Sequence, residues 1–149
     1  MQLAEILTPK RCQSNIDGVS KNRILNKISA LISEDILALE SDQVFNALMA
    51  REHLGSTGLG NGIAIPHCRM PECEKIVGAL ITLNKPIDFD AVDGKPVDLL
   101  FLLIVPEARN DEHVQTLAKL AALFSDDDFC YTLRHTNDSD DLYNIAITY

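Results

Sequence analysis

The chain has 149 residues, 46% of them hydrophobic, with few prolines and a formal net charge of −9. That length predicts one globular domain, 1–149, able to bury most of the apolar surface its unfolded form exposes. The acidic balance excludes a nucleic-acid surface, which needs clustered Lys and Arg, and makes a basic protein partner easier to envisage. No charged-then-apolar leader follows Met1, and the longest apolar stretch, Leu99 to Val105, is too short to span a bilayer. A cytoplasmic protein without membrane insertion is expected.

Leu3, Ile6 and Leu7 predict a helical turn, followed after Pro9 by an extended segment around Cys12 and Ile16. Ser20 can cap a helix whose Ile24, Leu25, Ile28, Leu31 and Ile32 share one stripe. Ser41 can cap a second, with Val44, Phe45, Leu48 and Met49 inward, Arg51 in its last turn and Gly55 as the stop. Arg51 suits a helix C-terminus on macrodipole grounds alone. Ile76–Leu83 is a continuous apolar run, hence a central strand covered on both faces. Asn84 to Lys95 reads as turn, short edge segment at Ile87–Phe89, and turn; Val97–Val105 is another apolar strand, ended by Pro106.

Asn110 and Asp111 can cap the next helix, with Val114, Leu117, Leu120, Ala121 and Phe124 buried and His113 in the first turn. A helical segment near Asp127–Arg134 follows, then a last helix capped by Ser139 or Asp140 that buries Leu142, Ile145 and Ala146. No internal repeat, linker or low-complexity tract interrupts the order. The expected architecture is an α/β sandwich, a mixed sheet of four to five strands flanked by helices on both faces.

Chemistry concentrates in Gly55–His67, GSTGLGNGIAIPH. Its four glycines and small polar residues let the backbone bend tightly and turn N–H groups toward an anion, with Ser56, Thr57, Gly58 and Gly60 as the cradle. Ile63-Ala64-Ile65 predicts a short strand, and Pro66 holds Ile65 extended, so His67 is delivered at the strand's end. An imidazole there, beside an anion-binding loop, suits phosphoryl transfer. The plainer readings are an ordinary loop and a surface histidine. Gly55–Gly62 has neither the Lys-Ser/Thr ending of a P-loop nor a G-x-G-x-x-G, which disfavours nucleotide binding.

Cys12, Cys68, Cys73 and Cys130 lack the spacing of a secreted disulfide framework, so free thiols are expected. Cys68 and Cys73 with His67 and His53 make only a loose zinc pattern, and no metal or other cofactor is expected. A histidine in a first turn, like His113, sits in the positive end of the macrodipole, which discourages protonation while leaving an N–H to donate. If that turn and the end of the His67 strand open on one edge, the two imidazoles face one anion site.

Arg51–His67, Pro86–Phe101 and His113–Leu120 together resemble the phosphotransferase-system IIA domains of the fructose/mannitol type, over almost the whole chain. The stand-alone length, with Ile6-Leu-Thr-Pro9 and Lys21 to Ser33, is most similar to the nitrogen-regulatory branch. The resemblance implies a mixed sheet between helices, and a protein that is phosphorylated on His67 Nε2 by a phosphorylated HPr-like carrier. It implies His113 as second active-site histidine and Arg51 as arginine beside the site. It further implies phosphorylation-dependent binding to regulated targets, of the potassium-transport or sensor-kinase kind. The alternative is a sugar-specific component handing the phosphoryl group to a IIB partner. Cys68 departs from the small residue expected after the histidine. Leu59, Ile63 and Met70 are the expected carrier contacts, with Leu59→Asp slowing phosphorylation.

Overall fold

The two continuous apolar runs form the centre of the sheet in the computed structural model, which describes residues 2–108 and 110–149. β5 (Val77–Ile87) and β6 (Val97–Pro106) pair antiparallel, with Val77 opposite Ile104 and Thr82 opposite Leu99. Both faces of the pair are buried, as uninterrupted rather than alternating hydrophobicity requires. β1 (Cys12–Ile16) adds parallel to β5 at one edge. On the far side of β6 lie β2 (Gly58–Gly60), β3 (Ile63–Ala64) and β4 (His67–Met70). β3 and β4 follow one another parallel to β6, and β2 folds back antiparallel on β3, giving the order β1-β5-β6-β3-β2 with β4 paired to β6.

The mixed sheet flanked by helices on both faces is the architecture expected, but it has six strands rather than four or five. β3 is the short strand expected at Ile63–Ile65; the unexpected strands are β2 within the glycine-rich stretch and β4 just after it, runs of three and four residues that carry no readable period. The separate edge segment expected at Ile87–Phe89 does not form. β5 continues to Ile87, and the chain turns over 88–96 with Asp90 and Gly94 at positive φ.

α2 (Lys21–Asp35) and α3 (Ser41–Glu52) cover one face, burying Ile24, Ile28, Ile32, Val44 and Leu48 against Ala79, Ile81, Leu100 and Leu102. α1 (Leu3–Ile6), α4 (Asn110–Phe124), α5 (Asp127–Arg134) and α6 (Ser139–Thr148) cover the other, burying Ile6, Leu120, Phe129 and Leu142 against Leu80, Leu99 and Phe101. Ser20 caps α2 as expected, accepting from Arg23 N. The other two expected caps are displaced. Glu40, not Ser41, caps α3, and Asp138, not Ser139 or Asp140, caps α6, because a carboxylate just ahead accepts from two free N–H groups at once. α4 begins at Asn110, so Asn110 and Asp111 fall inside its first turn, and the residue ahead lies outside the described ones.

The inward stripe of α4 is also rotated from expectation. His113, Thr116, Leu120 and Phe124 are buried, whereas Val114 and Ala121 are exposed. Two polar residues have taken inward positions that a hydrophobic pattern would assign elsewhere.

A 3-10 turn (Pro9–Arg11) drives Arg11 into the interior, where it is 6% exposed. Its Nε donates to Gly78 O (3.0 Å), its Nη2 to Ile6 O (3.0 Å), and its Nη1 pairs with Asp35 Oδ2 at 2.5 Å. Asp35 ends α2, where a carboxylate opposes the macrodipole, and the guanidinium offsets that placement. A Cβ on Gly78 would lie 2.9 Å from the Phe101 ring. Gly78→Ala is therefore expected to destabilise by about 1–3 kcal/mol, read as a lower urea midpoint at unchanged m-value.

Candidate active site

The break between β3 and β4 sets the geometry of the site. Pro66 has no N–H to donate, while its carbonyl accepts from Leu103 N at 2.9 Å. Ile65 N turns away to Thr57 O (3.1 Å), and Ile65 O accepts from His67 Nδ1 at 2.8 Å. His67 therefore opens β4, opposite Leu103, instead of closing the preceding strand as the sequence suggested. Alternation then places Ile63, Ile65, His67 and Arg69 on one face. The first two pack into the core beneath α4–α6; His67 and Arg69 continue that face as polar groups lining a cavity. Cys68 and Met70 point into the opposite core with α2 and α3.

The cavity, about 540 Å³, is lined by Arg51, Leu54, His67, Arg69, His113 and Val114 among others. The structure thus brings together His67, His113 and Arg51, residues far apart in the chain. The two imidazoles meet edge-on, 5.5 Å between centroids at 76°. Arg51 Nη1 donates to Gly55 O (2.9 Å), fixing the guanidinium over the start of the glycine loop. Arg69 Nε donates to His113 Nδ1 at 3.2 Å.

Those contacts assign the tautomers. A carbonyl only accepts, so His67 carries its proton on Nδ1 and leaves a lone pair on Nε2. Among the described residues, His113 Nε2 is buried without a hydrogen-bond partner.

Burial is the main cause holding the His67 ring below its usual pKa of 6.5, with Arg51 adding to the effect and Ile65 O and Glu52 opposing it. His113 is lowered by burial, then by His67, Arg69 and Arg51. Both rings are neutral at physiological pH. The unfolded chain binds these protons first on acidification, so the stability they confer is complete above about 6.5 and is lost below it, toward the folded midpoints. Nitrogen-15 titration is expected to place both folded midpoints below 6.5. Denaturation at graded pH should show less acid loss in His67→Ala than in the wild type.

Ser56, Thr57, Gly58 and Gly60 do not line this cavity. Thr57 N donates to both Glu52 carboxylate oxygens (3.3 and 3.2 Å), and Gly58 N to Ser56 Oγ (3.1 Å), which itself donates to Phe89 O (2.6 Å). Gly58 pairs with Ala64 across β2 and β3, and Gly60 turns the chain at φ 97°. Two of the N–H groups expected to hold an anion are therefore spent inside the loop. Thr57 Oγ1 is buried without a partner among the described residues. Glu52 is itself buried, paired with Lys21 Nζ at 2.9 Å, and Lys21 stands 4.6 Å over the Phe89 ring. Sequence reasoning missed Arg69, Glu52 and Lys21. For Arg69 a signal existed, since two residues beyond His67 on a strand is the same face.

The rim is apolar: Leu54 (84% exposed) and Val114 flank the cavity, and Leu59 is half exposed. Ile63 and Met70 are buried, which removes them as surface contacts. All four cysteines are free and buried; burial, with Cys73 adding, pushes the Cys68 thiol up to about 12. Among the described residues, no three His, Cys, Asp or Glu side chains gather as metal ligands, and no helix is long and apolar enough to cross a membrane.

A fold with two imidazoles and two guanidinium groups around one cavity defines a class. Residues 5–148 match the family described as phosphoenolpyruvate-dependent sugar phosphotransferase system, EIIA 2, and the chain belongs to it. Within that family it is of the nitrogen-regulatory type. It is 45% identical over 147 residues to the nitrogen regulatory protein of Pseudomonas aeruginosa, covering 99% of this chain and 96% of that one. The crystal structure of nitrogen regulatory protein IIA-Ntr from Neisseria meningitidis superposes with a TM-score of 0.89 at 39% identity, covering 97% and 98% of the two chains. The mannitol IIA of Escherichia coli, at 21% identity and TM-score 0.77 over 94% and 98%, shares the fold.

Proposed function

We propose that His67 Nε2 accepts a phosphoryl group from a phosphorylated HPr-like carrier, and that the phosphorylated and free forms bind regulated target proteins differently. The observation that carries this is the Nδ1–H···O=C bond from His67 to Ile65, which leaves the Nε2 lone pair free in a cavity bordered by Arg51 and Arg69. The lone pair forms the new P–N bond as the bond from phosphorus to the carrier's ring nitrogen breaks, its electron pair returning to the carrier. The Nδ1 proton stays on the ring. Arg51 and the Nε2–H of His113 stabilise the charge on the equatorial oxygens, so the reaction rests on positioning and electrostatics. The protein acts in the cytoplasm as a single domain. Targets distinguish the free from the phosphorylated rim by its gain of charge and bulk.

The test is intact-mass analysis of the wild type after incubation with the phosphorylated carrier, followed by nitrogen–phosphorus coupling to locate the bond. One acid-labile phosphoryl group on His67 Nε2 is expected. No incorporation from a carrier that phosphorylates a control IIA domain would overturn the reading. Leu54 lies on the cavity rim and is exposed, so Leu54→Asp should raise the KM for the carrier about tenfold at unchanged stability.

A further inference from the structure

We propose that Arg69 is the positioning residue of the second histidine: it locks His113 as the Nε2–H tautomer, so that the two facing imidazoles present opposite hydrogen-bonding characters to one phosphoryl group. This rests on the reading of His67 as the acceptor.

A guanidinium N–H can only donate, and Arg69 Nε does so to His113 Nδ1 at 3.2 Å. While that bond stands, Nδ1 must offer its lone pair. The ring can then be neither the Nδ1–H tautomer nor the imidazolium, and its proton sits on Nε2. That atom is buried and has no partner among the described residues. A buried N–H without a partner is costly in a finished interior and useful where a ligand oxygen will arrive. His67 is fixed the opposite way, Nδ1–H on Ile65 O and lone pair on Nε2. One ring supplies the nucleophilic lone pair and the other an N–H for a phosphoryl oxygen. With His113 in the other tautomer, a lone pair would face that oxygen and repel it.

The placement is rigid. Arg69 stands two residues from His67 on β4, paired with Val105 of β6 as His67 is with Leu103, so both face α4 at a fixed register. Arg69 is otherwise exposed, so losing its side chain leaves the core intact.

The experiment compares nitrogen-15 ring shifts and single-turnover phosphorylation in wild type, Arg69→Met, His113→Gln and the double variant. In the wild type His113 should show one unprotonated Nδ1 and one protonated Nε2; in Arg69→Met these should move toward an exchange-averaged pair. Phosphorylation of Arg69→Met should slow about tenfold. Gln at position 113 carries an amide N–H that no tautomer can remove, so adding Arg69→Met to His113→Gln should cost nothing further. An unchanged His113 tautomer in Arg69→Met overturns the proposal. So does a tenfold loss that persists in the His113→Gln background, which would mean that Arg69 holds the phosphoryl group directly. If the wild type accepts no phosphoryl group at all, the functional reading fails, while the nitrogen shifts still decide the role of Arg69.

Discussion

Replacing His67 by alanine is expected to abolish phosphoryl acceptance, leaving no acid-labile label by intact mass after prolonged incubation with the phosphorylated carrier. Neither neighbouring candidate nucleophile can take over. His113 Nδ1 is held by Arg69, and its Nε2 carries a proton rather than a lone pair. Cys68 is buried on the opposite face of β4, its thiol pushed up to about 12. Among the described residues the His67 side chain makes one hydrogen bond, and it is half buried, so the variant should fold, and its circular dichroism should match the wild type. His113→Ala separates the two roles. It should still acquire the label on His67, but about 10²- to 10³-fold more slowly, the scale of losing one preorganised donor. Equal rates in His113→Ala and wild type would remove His113 from the reaction.

Arg11→Met should lower stability by about 3–5 kcal/mol, because it leaves Asp35 without its cation and orphans the carbonyls of Gly78 and Ile6. The Asp35 side chain is 17% exposed and retains one bond, from Thr8 Oγ1 at 2.8 Å, which does not replace the lost charge. The double variant Arg11→Met/Asp35→Leu should recover most of the loss, since an apolar pair of similar volume avoids desolvating either ion. Urea denaturation of the wild type, the single and the double variants measures both effects. A double variant no better than the single would locate the cost in the carbonyls rather than the unpaired carboxylate.

The long periodic elements were legible in the sequence because each carries many residues that agree. β5 and β6 announced themselves as continuous apolar runs, and α2 as a stripe from Ile24 to Ile32. Of the short strands, β3 was legible because Pro66 holds the apolar Ile63–Ile65 run extended, whereas β2 and β4 were not, since three or four residues cannot show a period and Gly60, Asn61 and Gly62 at positive φ break the chain around β2. The caps of α3 and α6 were misread by one or two residues because several side chains there can accept from the first turn, and only the backbone decides which does.

The site divides along the same line. His67, His113 and Arg51 were singled out from motifs and lie around one cavity, and the expectation that two distant histidines share one edge corresponds to the 5.5 Å separation. The stripe of α4 was misjudged because His113 and Thr116 face inward for reasons other than hydrophobicity. Arg69, Glu52 and Lys21 escaped because each is an ordinary charged residue until its partner is known. The glycine loop drew attention for its N–H groups, yet two of these are already engaged by Glu52 and Ser56.

Cys12, Cys68, Cys73 and Cys130 are all buried, and burial raises each above its ordinary value, Cys12 and Cys68 to about 12. Peroxides and alkylating agents react with thiolates, so this chain offers them almost nothing at neutral pH. The Cys68 thiol, one residue from His67, is thereby shielded from oxidants by the fold itself.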